Sequence, residues 1–231
     1  MLDPGPIPPI LDRTRPIGSF TMLDAYKKCP HQMYHRYIAK DLGPFVETAE
    51  MKWGNKVHKA LEERVGTRKP LPLDMQHWEN FAAPFDGIDP IRVSVELKLG
   101  IDVDGNPVDF FAKDVWFRGK LDVVVKTSMK AYITDWKTGN SKYEDPFELE
   151  VGAVLLKARF PSLEVIYGNY IWLKDNRVGK PYDLTNTDQT LTTMRLIMSC
   201  IEADKQREFA KKPTPLCGWC PVKTCEHWFE R

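Results

Sequence analysis

The chain has 231 residues, of which 42% are hydrophobic and 28% charged, with a formal net charge of +1. That length can bury a sizeable core, and the composition is that of a globular domain with appendages rather than a disordered or fibrous chain. Near-neutral charge excludes a basic surface spread over the whole molecule, so a polyanion site has to come from local clustering of Lys and Arg.

No apolar run reaches the ~18–20 residues that span a bilayer. The opening "MLDPGPIPPILDRTRP" lacks the basic and apolar regions of a signal peptide, so a cytoplasmic location without a membrane partner is expected. Five cysteines in a reducing compartment argue against a disulfide framework. Three of them fall within the last fifteen residues.

In chain order, residues 1–18 carry five prolines and no regular period, which predicts an extended arm. Residues 19–231 are expected to form one domain with a helical N-terminal part and a cysteine cluster at 217–225. Ser19 or Thr21 can cap a first helix, and Pro30 separates it from a second. A stronger helix is predicted from about Lys52 to Arg64, with Trp53, Val57, Leu61 and Val65 recurring at four-residue steps. Residues 66–90, rich in Pro, Gly and Asp, read as a long connection with one short helix.

Alternation then places Val93, Val95, Leu97 and Leu99 on one face of a strand, with Ser94, Glu96 and Lys98 on the other. Two more strands, "DVWFRGKLDVVVK" and "AYITDWKTG", are joined through "TSMK". A helix follows with Pro146 in its first turn and Val151, Val154, Leu155 and Ala158 on one face. "EVIYGNYIWLK" is a further strand. A last helix, capped near Asn186 or Thr187, is predicted to run to about residue 212, with Cys200 in its core-facing part. The order of elements indicates an α/β domain with a central mixed sheet flanked by helices.

The chemistry gathers on the hairpin. Residues two apart on a strand share a face, so Asp135 and Lys137 lie side by side. Asp122 stands before a Val run on the neighbouring strand, where a carboxylate without a partner is costly. Two convergent carboxylates suit a hard divalent cation such as Mg²⁺ or Mn²⁺. An adjacent lysine can orient a water or meet negative charge in a phosphodiester transition state.

"GKLD" followed by "DWKTG", with "WGNKVHKALE" upstream, resembles the PD-(D/E)XK nuclease superfamily and its RecB-type exonuclease branch. The resemblance covers roughly residues 20–231. It implies a restriction-endonuclease-like core, with Asp122 and Asp135 as metal ligands, His58 and the Trp136 carbonyl completing the shell, and Lys137 as the catalytic lysine. It also implies a Gln-x-x-x-Tyr helix; this chain has Glu148 and Gly152 at those positions, and Glu148 is the candidate to contact Lys137. Glu96 is a candidate for an outer acid. The implied activity is metal-dependent hydrolysis of DNA, on single-stranded ends, with roles in DNA repair, recombination or phage DNA metabolism. The alternative is a nucleic-acid-binding or assembly module that keeps the fold and does not cut.

Cys217-x2-Cys220-x4-Cys225 has thiolate-metal spacing. Two completions stand: His227, giving a Cys₃His zinc site, or Cys29. The second is similar to AddB and certain CRISPR-associated relatives, where one cysteine before the nuclease motifs and three after them hold a [4Fe–4S] cluster. Those proteins usually have five residues between the last two cysteines, and this chain has four. For the DNA surface, the sequence offers Lys27, Lys28 and Arg36, then Lys52 and Lys56, then Tyr143, interleaved with aromatic residues that can stack on bases.

Overall fold

The computed structural model describes residues 15–44 and 46–230, without the side chain of Tyr143. Most of the proposed arm lies outside the described residues. Its end does not stand apart: Gly18 bridges Phe117, its N–H donating to the Trp116 carbonyl at 2.8 Å.

Helix α1, Phe20–Lys28, is capped by Ser19, whose hydroxyl accepts from the Met22 N–H. Pro30 opens the short α2, Pro30–Met33, because the first turn needs no N–H there. A π-helical turn, Tyr34–Ala39, follows. Helix α3, Ala49–Thr67, extends beyond the predicted limits at both ends, with Thr48 as its N-cap. Val57, Leu61 and Val65 are buried as the spacing implies, whereas Trp53 is 41% exposed.

The segment read as a long connection is more ordered than expected. It folds into a 3₁₀ turn, Leu73–Trp78, then α4, Glu79–Ala82, and further 3₁₀ turns over Ala83–Gly87 and Pro90–Arg92. Its apolar residues Met75, Trp78, Phe81 and Phe85 are buried. They recur at three- and four-residue steps, but Pro72, Pro84 and Pro90 keep the segment in short turns instead of one helix.

The sheet comprises β1 Val93–Ile101, β2 Pro107–Val108, β3 Phe117–Lys126, β4 Lys130–Lys137, β5 Val165–Trp172, β6 Arg177–Val178 and β7 Tyr182–Asp183. Its order is β2-β1-β3-β4-β5-β6, with β7 also on β5. Among the pairings of these strands, β4 with β5 is the parallel one, joined by the crossover helix α5, Phe147–Arg159. The three two-residue strands are too short to leave an alternation signal. Helix α6, Thr187–Asp204, starts after Asn186 as expected but ends earlier than predicted. Cys200 is exposed on it, contrary to the expected core position; Met194, Met198 and Ile201 take the buried face.

Two apolar clusters sandwich the sheet. One joins α1, α5 and α6 to β1, β3, β4 and β5; the other joins α3 and the 73–87 segment to the opposite face. This is a mixed α/β sheet flanked by helices, as the sequence predicted. Among the described residues, no helix is long and apolar enough to cross a membrane.

Candidate active site

The site begins with a fault in the strand alternation. Leu97, Leu99 and Ile101 pack with the α5 cluster, but Val93 and Val95 pack with the α3 cluster. The four residues expected on one face of β1 are therefore split between two. The break is at Glu96, which has φ of 52°, a left-handed conformation that costs a non-glycine residue roughly 1–3 kcal/mol. Across from it, β3 slips too: Leu121 lies in the α5 cluster and Val123 in the α3 cluster. The ladder pairs Val95 with Val123 and Leu97 with Leu121, leaving Glu96 and Asp122 as an unbonded rung between them. The double slip brings both acids to the α3 side.

Helix α3 supplies the third group. His58 Nδ1 is 3.3 Å from Asp122 Oδ2. Gly54, one turn earlier, lets the helix approach the chain just past β4, since a Cβ there would stand 3.3 Å from Thr138 Oγ1. His58, Glu96 and Asp122 each place a ligand atom within 4.8 Å of the others, the one such group of three among the described residues. Burial pushes the His58 pKa down, but the hydrogen bond and charge of Asp122, helped by Asp135, outweigh it and hold it above the ordinary value. Two carboxylates and an imidazole are the donors a divalent cation takes, so the residues present fit such an ion.

Beside this group the hairpin forks. Pairing of β3 with β4 runs from Lys126↔Ala131 to Val123↔Thr134 and stops. Beyond it, the Trp136 N–H donates to Asp122 Oδ2 at 2.8 Å, so a carboxylate replaces a ladder carbonyl. Trp136 buries its ring in the α3 cluster, fixing the main chain there.

Asp135 and Lys137 point the other way, toward α5. Lys137 Nζ lies 2.8 Å from Asp135 Oδ2 and 2.5 Å from Glu148 Oε2. The Asp135 oxygen is sealed from solvent, and its contact with the ammonium lacks the alignment of a hydrogen bond. Burial, with the Asp122 and Glu148 charges adding to it against the Lys137 ammonium, pushes the Asp135 carboxyl up to about 7. Burial opposes the charge on Lys137, yet the two carboxylates prevail and hold it above the usual lysine range. Asp135 thus stands outside the three-donor group, oriented on the lysine.

The departures from the Gln-x-x-x-Tyr pattern have a physical setting. A Cβ at Gly152 would stand 2.6 Å from Leu121 Cδ2, so α5 presses on β3 where the pattern has a tyrosine. An aromatic ring comes instead from β5: Tyr170, paired in register with Asp135, has its ring 5.2 Å from Lys137 Nζ. Its hydroxyl donates to the Asp145 carbonyl at 2.8 Å. Tyr170 carries no local sequence signal for this place, and Glu96 stands closer to the site than an outer acid. An acid facing Asp122 across an antiparallel pair was a usable signal, but the positive φ that turns it inward was not visible.

Cys29, Cys217, Cys220 and Cys225 come together from the two ends of the described chain and line one small cavity, with His31, His227 and Lys211 at its wall. Burial raises the Cys220 thiol, with the other three cysteines adding to it. The basic candidates scatter more. Lys27 sits 3.6 Å over the Phe147 ring, Lys28 pairs with Asp24, and Arg36 is exposed on the π-helical turn. Lys52 is exposed on α3, and Lys56 pairs with Asp74 at 2.8 Å beside Trp53. The Tyr143 side chain lies outside the described residues.

Residues 73–225 match the family model of the PD-(D/E)XK nuclease superfamily. Gene 69 protein of Mycobacterium phage L5 is 29% identical over 138 residues, 57% of this chain and 43% of its own length. The chain therefore spans less than half of that curated relative. A crystal structure from Eubacterium rectale, of a protein whose name carries a provisional exonuclease assignment, superposes with a TM-score of 0.54 at 10% identity, covering 95% of this chain and 92% of that one. The crystal structure of SSO0001 gives 0.47 at 16% identity, covering 90% and 86%. At such identities these likenesses concern the fold alone.

Proposed function

The chain belongs to the PD-(D/E)XK nuclease superfamily, and from that premise we propose that it is a divalent-metal-dependent DNA exonuclease of the RecB type, acting on single-stranded ends. The observation that carries this reading is the juxtaposition of His58, Glu96 and Asp122 with a half-buried Lys137 set between Asp135 and Glu148.

His58, Glu96 and Asp122 would hold Mg²⁺ or Mn²⁺, with Asp135 and the Trp136 carbonyl at the other side of the fork. A cation bound there lowers the pKa of its water and neutralises phosphate charge. Lys137 orients the attacking water and meets the negative charge that develops on the phosphate oxygens. Asp135 and Glu148 hold its ammonium in place from two sides. Trp136, by fixing Asp122 through its N–H, keeps the two halves of the site in register.

At the cysteines we propose a [4Fe–4S] cluster rather than zinc. What supports it is the convergence of Cys29 with Cys217, Cys220 and Cys225 on one cavity, the one-before, three-after arrangement that the resemblance ties to such a cluster.

The test of the nuclease reading is digestion of end-labelled single- and double-stranded DNA with Mg²⁺ or Mn²⁺. Release of nucleotides from single strands, abolished by EDTA and by Lys137→Ala, is expected. Undiminished release by Lys137→Ala, or a mobility shift without product, would overturn it.

A further inference from the structure

The face that carries Glu96 and Asp122 continues past them, and what it carries next is basic. Two rungs on, Lys98 lies directly opposite Lys120, and two rungs further Gly100 lies opposite Arg118. Like charges paired across a sheet are unfavourable unless something negative lies between them. Glu96 answers one of them, pairing with Lys120. Among the described residues, neither Lys98 nor Arg118 makes an ion pair.

Two rings close over these cations instead. Phe110 and Phe111, on the loop between β2 and β3, meet edge to face at 4.9 Å. Lys98 Nζ is 5.9 and 5.5 Å from their centroids, and the Arg118 guanidinium is 4.7 and 5.9 Å away. Arg118 also donates to the Phe110 carbonyl at 3.1 Å, which fixes the loop. Phe111 is nevertheless 70% exposed. A large ring held in place yet left in water has a flat face to offer.

We propose that this β1–β3 face binds a single strand of nucleic acid on its way to the metal-binding group: Lys120, with Lys98 opposite it, takes one phosphate, Arg118 takes the next, and Phe111 stacks on an unpaired base. The proposal rests on the nuclease reading and adds the substrate path to it. Same-face residues on a strand repeat every ~6.8 Å, about one nucleotide of an extended strand. Lys120 and Arg118 on β3 therefore match the backbone in step as well as in sign, Lys98 adds its charge beside Lys120, and the row leads to Asp122. Stacking requires a base whose faces are free, which a duplex does not present.

The experiment is anisotropy titration of a labelled oligothymidylate in EDTA, over a series of salt concentrations, so that binding is read without cleavage. Lys98→Ala should weaken binding and lower the slope of log affinity against log salt by about 0.7; Lys98→Arg should restore both. Phe111→Ala should weaken binding on the order of tenfold and leave the slope unchanged. Both side chains are exposed, and thermal melts verify that the variants fold. Unaltered affinity in Lys98→Ala and Phe111→Ala overturns the track, as does an equal loss for a duplex of the same length. If the wild type cleaves while these variants bind normally, the track fails and the nuclease reading stands. If the variants lose binding but the wild type never cuts, the reverse holds.

Discussion

Asp122 accepts the main-chain N–H of Trp136 across the open end of the hairpin, 2.8 Å from nitrogen to Oδ2. One carboxylate thereby does two things: it closes the ladder where β3 and β4 part, and it faces His58 and Glu96. The two roles can be separated. Asp122→Asn keeps an oxygen acceptor and should fold with little loss, while DNA hydrolysis falls on the order of a hundredfold or more. Asp122→Ala leaves a buried N–H unpaired and should cost a further 1–3 kcal/mol or so in stability. A second readout avoids activity altogether. Mg²⁺ or Mn²⁺ should raise the melting temperature of the wild type, since a ligand of the folded state stabilises it, and should not raise that of Asp122→Asn.

Glu148 and Gly152 give the second prediction. Glu148→Ala leaves Lys137 with Asp135 as its remaining carboxylate partner. Because Glu148 acts through Lys137, activity should drop by about 10–100-fold, short of the loss in Lys137→Ala. Gly152→Tyr would restore the ring of the usual pattern. It should instead destabilise the protein by several kcal/mol, because the space is filled by Leu121. Urea denaturation of the two variants separates these effects: Glu148→Ala should unfold near the wild-type midpoint and Gly152→Tyr well below it.

What the sequence disclosed follows from which signals are local. Strand alternation is a short-range rule, so it sets Asp135 beside Lys137, and turn residues mark the ends of the main strands. Alternation does not disclose that Asp122 sits at a slip in β3 and meets His58 and Glu96 while Asp135 meets the lysine. Glu96 was judged from the same alternation, which its own backbone breaks at φ 52°. The 73–87 segment reads as a connection with one short helix, because the prolines and glycines in and around it outweigh the three- and four-residue steps of Met75, Trp78, Phe81 and Phe85. Tyr170 was missed for a different reason. It reaches the site through the parallel pairing of β4 with β5, a contact between residues 35 positions apart that no local pattern encodes.

That 73–87 segment is tied to the domain by a charge cluster whose pH dependence can be predicted. Arg64, 5% exposed on α3, donates to both oxygens of Asp86 at 2.8 and 2.6 Å and to Glu79. The hydrogen bond from Arg64 holds the Asp86 carboxyl below its usual range. A depressed folded-state pKa means the stabilisation is present above the unfolded value near ~4 and is lost as pH falls through the lower folded value. Acid unfolding should therefore steepen below pH ~4 in the wild type, and Asp86→Asn should flatten that limb. Arg64→Ala removes the ties from α3 to Asp86 and Glu79 and should lower the melting temperature, while Arg64→Lys should restore part of the loss. Circular dichroism across an acid titration distinguishes the variants.

The cysteines supply the last prediction. Cys29 precedes α2, while Cys217 and Cys220 sit in and just after the 3₁₀ turn Pro215–Trp219, so any shared group ties the start of the described chain to its end. The Thr214 N–H donates to Cys217 Sγ at 3.3 Å, the kind of contact that steadies a thiolate. Closing so long a loop is comparable with a long-range crosslink, worth about 2–5 kcal/mol, or roughly 5–15 °C of melting temperature in a chain of this size. Anaerobically purified protein should carry iron and acid-labile sulfide with a charge-transfer band near ~400 nm. Cys29→Ser and Cys225→Ser should lose the band and that increment of stability, whereas Cys200→Ser, altering an exposed thiol on α6, should lose neither. Stoichiometric zinc without the band would replace the iron–sulfur assignment. A wild-type chain that melts at the same temperature with and without its metal would remove the structural role.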